Sequence, residues 1–466
     1  MEISLNGKDV FMAAAAPWIA AGIFLLMFIL IILDKWPHHY ITLACGLATL
    51  IIVFGICMHS LDAIWKTLNF SAIFTPGFWH VAQESAESST GINWSTIIFI
   101  AGMMVMVEGM AEAGFFQWLC LRLAKMVHYK ASAIFVVFMI MSFVLAMFID
   151  SITVILFLAA VTVELSKTLK FDPVPMILSE IFMANLGGSA TMSGDPPNII
   201  IGTSLGLTFG DFLTNTGLIA FVCLFVTLIY YWFCFGKKYK EADKTELDPA
   251  AMPEPKDAIK SKTAFITSIM IFLCAIVMLV SHADTGLTVA FIGAFVALVT
   301  LICNYKKAPK LLKKVDWNTL LFFIGLFVVV AGLDQTGVLV MIANFIASIS
   351  GGNVILVIVI ILFFSAVASA FVDNIPFSAT MIPIIQTLAA TQGIDIGTLA
   401  WTLSVGTDIG GSATPIGASA NVVGTAVAMK NGYPIGWGKY CKYNVPATLL
   451  VILVSLGMIL LRYVLL

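Results

Sequence analysis

Long apolar runs separated by short polar segments dominate the chain. A helix needs about 20 predominantly apolar residues to cross a bilayer, and the sequence supplies such runs from its beginning to its end. Clear examples are residues 17–33, 41–58, 216–235, 263–281, 287–304 and 446–461. The pattern therefore predicts an all-α polytopic membrane protein with about ten transmembrane helices.

The composition supports a membrane location and excludes several other classes. Of the 466 residues 60% are hydrophobic and 11% are charged, whereas soluble domains have roughly 25% charged residues. There are 24 Lys plus Arg against 26 Asp plus Glu, so nucleic acid is not an expected partner. The eight cysteines lack CxxC spacing and indicate neither zinc nor a disulfide framework. The first residues do not resemble a removable signal peptide.

The lysine-rich loops predict the orientation of the helices. Seven lysines lie in residues 237–262 and five in 306–314, and such clusters stay on the cytoplasmic side. We therefore expect an integral plasma (inner) membrane protein whose loops 236–262 and 305–316 are cytoplasmic. With these two loops inside, 21 of the 24 basic residues fall on one face.

Two long apolar segments, 132–165 and 352–394, are predicted to enter and leave the membrane on one side, as re-entrant hairpins. If 132–165 crossed fully instead, the basic group at 122–130 and the pair Lys167 and Lys170 would lie on opposite faces. That alternative stays open, because orientation rules have exceptions.

An internal repeat relates residue n to residue n+223 without a gap from Trp94 to Asn198. The strongest block aligns NLGGSATMSGDPPN at 185–198 with DIGGSATPIGASAN at 408–421, identical at seven of fourteen positions. The loop before Trp94 is poor in lysine and the loop before Trp317 is rich in it, so the copies are inverted. Inverted repeats with interrupted helices are typical of secondary transporters, although a duplication kept only for packing is the alternative.

Each predicted hairpin carries one acid inside an apolar run, Asp150 and Asp373. A charge in hydrocarbon costs at least ~2.5 kcal/mol, and neither 131–166 nor 315–429 contains a Lys or Arg. A bound cation or a proton is therefore expected on these acids, and the alternative is a protonated Asp that is only structural. The adjacent Ser151, Thr153 and Asn374 are candidate partners in binding.

The two GGSAT segments, 187–191 and 410–414, predict breaks in apolar helices. Adjacent Gly and nearby Pro unwind the helix and free carbonyl and hydroxyl oxygens, which are ligands that suit Na⁺. One acid per break suggests two related but unequal sites, whereas the alternative is that the glycines only allow close helix approach. The candidate ion-binding residues at the breaks are Asn185, Gly188, Ser189, Thr191, Asp195, Asn198, Asp408, Gly411, Ser412, Thr414 and Asn421.

A sodium site is predicted at the hydroxyls of Ser189, Thr191, Ser412 and Thr414 together with Asp150 and Asp373. No cofactor is expected beyond Na⁺ or H⁺ as the coupling ion. Glu108, Glu112 and Glu180 are weaker candidates, and Glu180 is assigned an interfacial or supporting role. The six histidines lie outside the repeated motifs and are assigned no role.

GGSATMSGDPPNIIIG at 187–202 and FVDNIPFSATMIP at 371–383 resemble signatures of the ion transporter superfamily. They are most similar to the branch with arsenite-efflux permeases, NhaD-type sodium-proton antiporters and the P protein. The resemblance implies a scaffold domain that dimerises and a transport domain of two hairpins and two broken helices that moves as a unit, like an elevator. The implied division is scaffold 1–93, repeat one 94–235 (hairpin 132–165, broken helix 174–204), linker 236–262, scaffold 263–316 and repeat two 317–466 (hairpin 352–394, broken helix 399–429).

The resulting function is a secondary active transporter, not an enzyme, that moves a small inorganic ion or neutral oxyacid by arsenite-type efflux or sodium-proton exchange. Its expected partners are that substrate, the lipid bilayer and a second copy in a homodimer. The alternative is a sodium-coupled carboxylate symporter. Dicarboxylate symporters of the superfamily carry Ser-Asn-Thr at each hairpin tip, where this chain has Asp150-Ser151-Ile152 and Asp373-Asn374-Ile375. An intramembrane aspartyl protease with Asp150 and Asp373 as a dyad is a remote alternative.

Overall fold

The helices before the repeat form a first group. The computed structural model describes residues 7–33, 35–80, 91–244 and 253–465, with side chains described from residue 14. This group contains α1 (Gly7–Leu33), α2 (His38–Ala48), α3 (Leu61–Leu68) and α4 (Pro76–Trp79). Helix α2 continues as a π-helix over Thr49–Cys57, so the two together are long enough to span a bilayer.

Repeat one is a succession of eight helices. They are α5 (Trp94–Ala113), α6 (Phe115–Met126), α7 (Ala131–Ala146), α8 (Ser151–Leu169), α9 (Pro173–Gly188), α10 (Pro196–Leu205), α11 (Phe209–Thr214) and α12 (Thr216–Ala242). Helices α7 and α8 occupy the segment for which a hairpin is predicted, and α9 and α10 are separated by the predicted break.

Three helices lead into repeat two, which repeats the first six helices of this succession and ends with one long helix. They are α13 (Lys262–Thr285), α14 (Val289–Cys303) and α15 (Ala308–Lys314). Repeat two then contains α16 (Trp317–Gln335), α17 (Val338–Ser350), α18 (Val354–Phe371), α19 (Asn374–Gln392), α20 (Ile396–Gly411), α21 (Ser419–Lys430) and α22 (Trp437–Leu460). Each helix from α16 to α21 begins 223 residues after its counterpart from α5 to α10, so the sequence offset is also the structural one.

The helix starts are fixed by capping side chains that recur in both repeats. Asp172 caps α9 by accepting a hydrogen bond from the Val174 amide at 3.1 Å, and Asp395 caps α20 through the Thr398 amide at 2.7 Å. Such caps satisfy backbone N–H groups that the first turn of a helix leaves without partners. The repeat therefore preserves the chemistry that sets helix boundaries as well as the apolar pattern.

The fold is all-α and membrane-spanning, as the sequence predicts. Among the described residues nine helices are long and apolar enough to cross a membrane, and a tenth is counted if α14 and the short helix after it, bent by 96°, form one span. One apolar core contains residues from α1, α2, α5 and the five helices α16–α20. Phe323 and Ile385 are fully buried in it. Helices α10 and α19, which carry part of the candidate site, belong to this core, whereas α8, α9 and α21 pack in two further apolar clusters.

Two close helix crossings are related by the repeat. Helix α5 crosses α14 where Gly102 meets Gly293, and α16 crosses α2 where Gly325 meets Thr42 and Gly46. A Cβ on Gly102 would lie 2.1 Å from the Gly293 carbonyl oxygen, and one on Gly325 would lie 2.3 Å from the Thr42 carbonyl carbon. At these positions the glycines allow close helix approach, which is the role that small residues have in membrane proteins.

Alanine at either crossing is expected to destabilise the protein. In Gly102→Ala and Gly325→Ala the new methyl group meets backbone, so the helices must separate, at a cost of about 1–3 kcal/mol. Gly457→Ala in α22 is the matched control, because no atom of the described residues lies within 4 Å of a Cβ there. Melting temperatures in detergent should fall for the two crossing variants only; an unchanged value for both would show that the crossings tolerate separation.

Candidate functional site

Asp150 lies directly before α8, at the tip of the first predicted hairpin. Its Oδ1 accepts a hydrogen bond from the Thr153 amide at 2.9 Å, and its Oδ2 accepts one from the Thr153 hydroxyl at 2.7 Å. The predicted residues Asp150 and Thr153 therefore form one helix cap. This cap holds the carboxylate at the tip, where the chain turns between α7 and α8.

The second hairpin tip presents Asp373 at the equivalent place before α19. Its Oδ1 accepts from the Ile375 amide at 3.0 Å, and its Oδ2 accepts from the Ser419 hydroxyl at 3.2 Å. Ser419 is the first residue of α21. The carboxylate therefore connects the second hairpin to the second half of a broken helix.

A cavity of about 360 Å³ opens at these two tips. Asp150 and Asp373 line it, and they are the two of the sixteen predicted site residues that do so. The other polar residues in its wall are His38, His39, Ser193, Asn318, Thr319 and Ser419. No Lys or Arg belongs to the wall among the described residues, so no permanently positive side chain faces its two carboxyl groups.

The histidines in this wall were missed by sequence reasoning. His38 and His39 begin α2; His39 is buried, and His38 lies within electrostatic reach of Asp373. Neither histidine belongs to a repeated motif. The one feature of the sequence that could have indicated them is that two adjacent histidines follow Pro37 at the start of an apolar run. Asn318 and Thr319, at the start of α16, enter the same cavity.

The carbonyl groups freed at the two helix breaks accept hydrogen bonds from asparagine. Asn198 donates from Nδ2 to the carbonyls of Gly188 and Thr191, both at 3.1 Å. Asn421 does the same in repeat two, to Gly411 at 2.7 Å and Thr414 at 2.8 Å. In both repeats, the carbonyl groups that the sequence predicts as ion ligands therefore accept hydrogen bonds from an asparagine amide at the equivalent position.

The hydroxyls predicted to bind sodium have protein partners as well. Thr191 donates to the Met147 carbonyl, Thr414 to the Ala370 carbonyl, and Ser189 to the Leu186 carbonyl at 2.8 Å. Ser412 accepts from Asn185 at 3.0 Å. These bonds anchor each break to its neighbouring hairpin or helix, and the sodium site at these hydroxyls stays a prediction.

Asp195 joins the two hairpin tips. It is buried, and its Oδ1 accepts from the Ser151 hydroxyl at 3.2 Å while its Oδ2 accepts from Asn374 Nδ2 at 2.9 Å. Ser151 and Asn374 are repeat counterparts, each the first residue of a hairpin helix. One carboxylate from the first break therefore receives an equivalent donor from each repeat.

Asp408 faces the same place from α20. It is fully buried and lies within electrostatic reach of Asp195 and Asn198. Its carboxyl group interacts with the Asn198 amide and with the Asp195 carboxyl group. The sequence suggested one acid at each of two breaks, whereas the structure brings Asp195 and Asp408 together in one place.

The weaker candidate acids lie elsewhere. Glu112 pairs with Lys307 at 3.2 Å and Lys310 at 2.9 Å, and Glu108 pairs with Lys314 at 3.0 Å, all near the 305–316 loop. Glu180 is fully buried and accepts from Thr162 at 2.5 Å, and its interfacial or supporting role stays a prediction. Within the part of the chain that the structure describes, no three His, Cys, Asp or Glu side chains form a metal-binding group.

Comparison with known proteins identifies transporters. Residues 28–406 match the family model described as citrate transporter. An uncharacterized transporter of Mycobacterium tuberculosis is 31% identical over 80% of this chain and 87% of its own length. The human P protein is 25% identical over 88% of this chain, which spans 58% of that protein.

Two solved structures share the fold. The YdaH transporter of Alcanivorax borkumensis has a TM-score of 0.52 at 15% identity, covering 78% of this chain and 84% of that one. MtrF of Neisseria gonorrhoeae, described among antimetabolite efflux pumps, also has a TM-score of 0.52, at 14% identity, covering 79% and 80%. At these identities the likeness concerns the fold alone.

Proposed function

Because this chain belongs to the citrate transporter family and is a membrane transporter, we propose that it works as a secondary active transporter of a small inorganic ion or neutral oxyacid. Transport is coupled to H⁺ or Na⁺ and runs as arsenite-type efflux or sodium-proton exchange. The observation that carries the proposal is the cavity in which Asp150 and Asp373 meet, with no Lys or Arg among the described residues of its wall. Two carboxylates in one apolar cavity favour a cation or an uncharged hydroxylated solute, since an anion would be repelled.

A carboxylate substrate is the second candidate. The matching family is described as citrate transporter, and the imidazole rings of His38 and His39 in the cavity wall carry N–H groups that can donate hydrogen bonds to a carboxylate. A di- or tricarboxylate would still face Asp150 and Asp373. We therefore rank it below a cation or neutral oxyacid, and the same assay distinguishes them.

The proposed mechanism is alternating access by an elevator movement. The moving unit consists of the two hairpins and the two broken helices, α7–α10 and α18–α21. Hydrogen bonds across the repeats support this grouping: Asn185 donates to Asn421 at 2.9 Å, and Ser404 donates to Asn198 at 2.6 Å. The predicted scaffold segments contain α2 and α14, and we add α5 and α16 of the repeats to the scaffold because they pack against α14 and α2 at the glycine crossings.

The cavity indicates the side from which the site is reached. Its wall includes the first turns of α2 and α16, and α16 follows directly on the lysine-rich loop 305–316 that we place in the cytoplasm. We therefore assign the structure to an inward-facing state in the plasma membrane. A homodimer formed through the scaffold is part of the same proposal, and chemical cross-linking in membranes tests it.

Reconstitution tests the proposed function directly. Purified protein in liposomes, with imposed pH or Na⁺ gradients, should accumulate or expel one of four offered solutes: arsenite, Na⁺, chloride or a carboxylate such as succinate or citrate. We expect flux of arsenite or Na⁺ that follows the gradient and stops when an ionophore collapses it. Protein-free liposomes are the control.

The outcomes of this assay separate the candidates. Gradient-driven carboxylate flux would favour the second candidate. Flux that ignores every imposed gradient would contradict coupling and indicate a channel. Cleavage of a membrane peptide without flux of any offered solute would support the intramembrane protease instead.

A further inference from the structure

The turn between α6 and α7 has a strained backbone. His128 and Tyr129 both adopt the left-handed conformation, with φ of 55° at each residue. Among the described residues they are the one consecutive pair of non-glycine residues with positive φ, since the others stand alone in the chain. A side chain disfavours this conformation, most of all a bulky one, and such strain persists where the surrounding structure holds the residue. The turn therefore indicates a neighbour that holds it in place.

Repeat two forms the same turn with glycines. The 223-residue offset aligns His128 and Tyr129 with Gly351 and Gly352, whose φ values are 56° and 80°. Glycine adopts positive φ without steric cost, and no atom of the described residues lies within 4 Å of a Cβ built on Gly351. The shape of the turn therefore needs no side chain at these two positions, and the side chains of repeat one must be explained by what they contact.

The linker between the repeats contacts the turn of repeat one. The Tyr129 hydroxyl donates to the Pro253 carbonyl at 2.6 Å. The Lys125 ammonium, at the end of α6, pairs with both carboxylate oxygens of Glu254, at 2.6 and 2.7 Å. An isolated ion pair on the surface contributes little, but here two adjacent linker residues bind two neighbouring side chains. Tyr129 thereby gains a partner that a glycine could not hold.

Further contacts seat the linker along α6 and at the start of α7. Asp243, directly after α12, accepts from the Ser132 amide at 3.1 Å and from the Ser132 hydroxyl. Pro255 and Ala258 are buried, and the Ala258 carbonyl oxygen would lie 1.9 Å from a Cβ on Gly114, the residue before α6. The linker is therefore docked from the beginning of α6 to the first turn of α7.

We propose that linker residues 253–258 anchor the turn at 127–130, and that this turn and its counterpart at 350–353 are unequal hinges of the moving unit. This inference rests on the proposed function, because α7 and α18 belong to that unit and α6 and α17 do not. A hinge is formed by a few loop residues that absorb changes of φ and ψ. The first hinge is stiffened by the linker, whereas the second, with two glycines, is compliant. The linker thereby limits how far the base of the first hairpin can shift.

Hydrogen–deuterium exchange of the purified protein in detergent tests the anchor. Mass spectrometry gives protection factors for residues 127–132 and 350–355, which correct for the intrinsic exchange rate of each sequence. Exchange reports local opening, so the wild type should protect the first segment on the order of tenfold more than the second. Tyr129→Phe keeps the ring and removes the hydroxyl, and Lys125→Glu brings like charges together. Each variant should lower the protection of residues 127–132 and 253–258 about 2- to 10-fold.

Lys130→Glu is the matched control, because it makes the same change of charge in the same turn but outside the contact between Lys125 and Glu254. Its exchange should match that of the wild type. Lys125→Glu combined with Glu254→Lys pairs opposite charges again and should restore most of the protection.

Two outcomes would overturn the proposal. Equal protection of the two turns in the wild type would contradict the unequal hinges, and unchanged exchange in both Tyr129→Phe and Lys125→Glu would contradict the anchor. The measurement needs no flux. A protein that shows the expected pattern and transports none of the four solutes would therefore contradict the proposed function and leave the anchor standing.

Discussion

Asparagine at either hairpin tip is expected to reduce gradient-driven transport to the level of protein-free liposomes. Asp150→Asn and Asp373→Asn remove the two fixed charges of the cavity wall, and with them the groups that attract a cation or carry a proton. Asparagine caps a helix about as well as aspartate, so α8 and α19 should keep their starts. The melting temperature of both variants should therefore stay close to that of the wild type.

The repeat supplies matched controls for this experiment. Asp172 and Asp395 also cap helices through one carboxylate oxygen, but neither lines the cavity. Asp172→Asn and Asp395→Asn should transport normally, which separates loss of a cavity charge from loss of a capping acid. Normal coupled transport by Asp150→Asn together with Asp373→Asn would remove the two tips from the mechanism.

Local patterns explain why the fold could be predicted from the sequence. Apolar runs identify the spans, and paired Gly with Pro shortly after it marks the two breaks, which follow Gly188 and Gly411. The 223-residue offset then transfers each boundary from one repeat to the other, and Asp150 and Asp373 mark equivalent helix starts. Side chains that cap their own helix can be predicted from the sequence, because the backbone groups they bind lie two or three residues further along the chain.

Contacts between repeats were beyond this reasoning. Asp195 and Asp408 come from different breaks, and no pattern in the chain states that they face each other. The same holds for His38 and His39, which enter the cavity from a helix outside the repeated motifs. The carbonyl groups at the breaks were also predicted as ion ligands. The sequence alone does not show that Asn198 and Asn421 donate hydrogen bonds to them.

Removing the acceptor that joins the hairpins is expected to have the largest effect on stability. Asp195→Leu leaves the Asn374 amide and the Ser151 hydroxyl without their partner in a buried place, and each unsatisfied group costs about 1–3 kcal/mol. The free energy of unfolding in detergent should therefore fall by about 2–6 kcal/mol. Asp195→Asn keeps one acceptor oxygen and adds an amide N–H whose hydrogen bond the Ser151 hydroxyl can accept. The free energy of unfolding should therefore fall much less in this variant.

A double-mutant cycle shows whether this loss comes from the contact between the tips. Asn374→Leu alone also breaks the bond, which is 2.9 Å long, but in the Asp195→Leu background it removes an amide that is already unpaired. The second substitution should then cost less than it does in the wild type, with a coupling energy of about 1–3 kcal/mol. Additive losses would mean that Asp195 stabilises each hairpin separately and does not connect them. The Asp195 carboxylate receives equivalent donors from the two inverted repeats. A coupling energy between Asp195 and Asn374 would therefore support the proposal that the two hairpins move as one body.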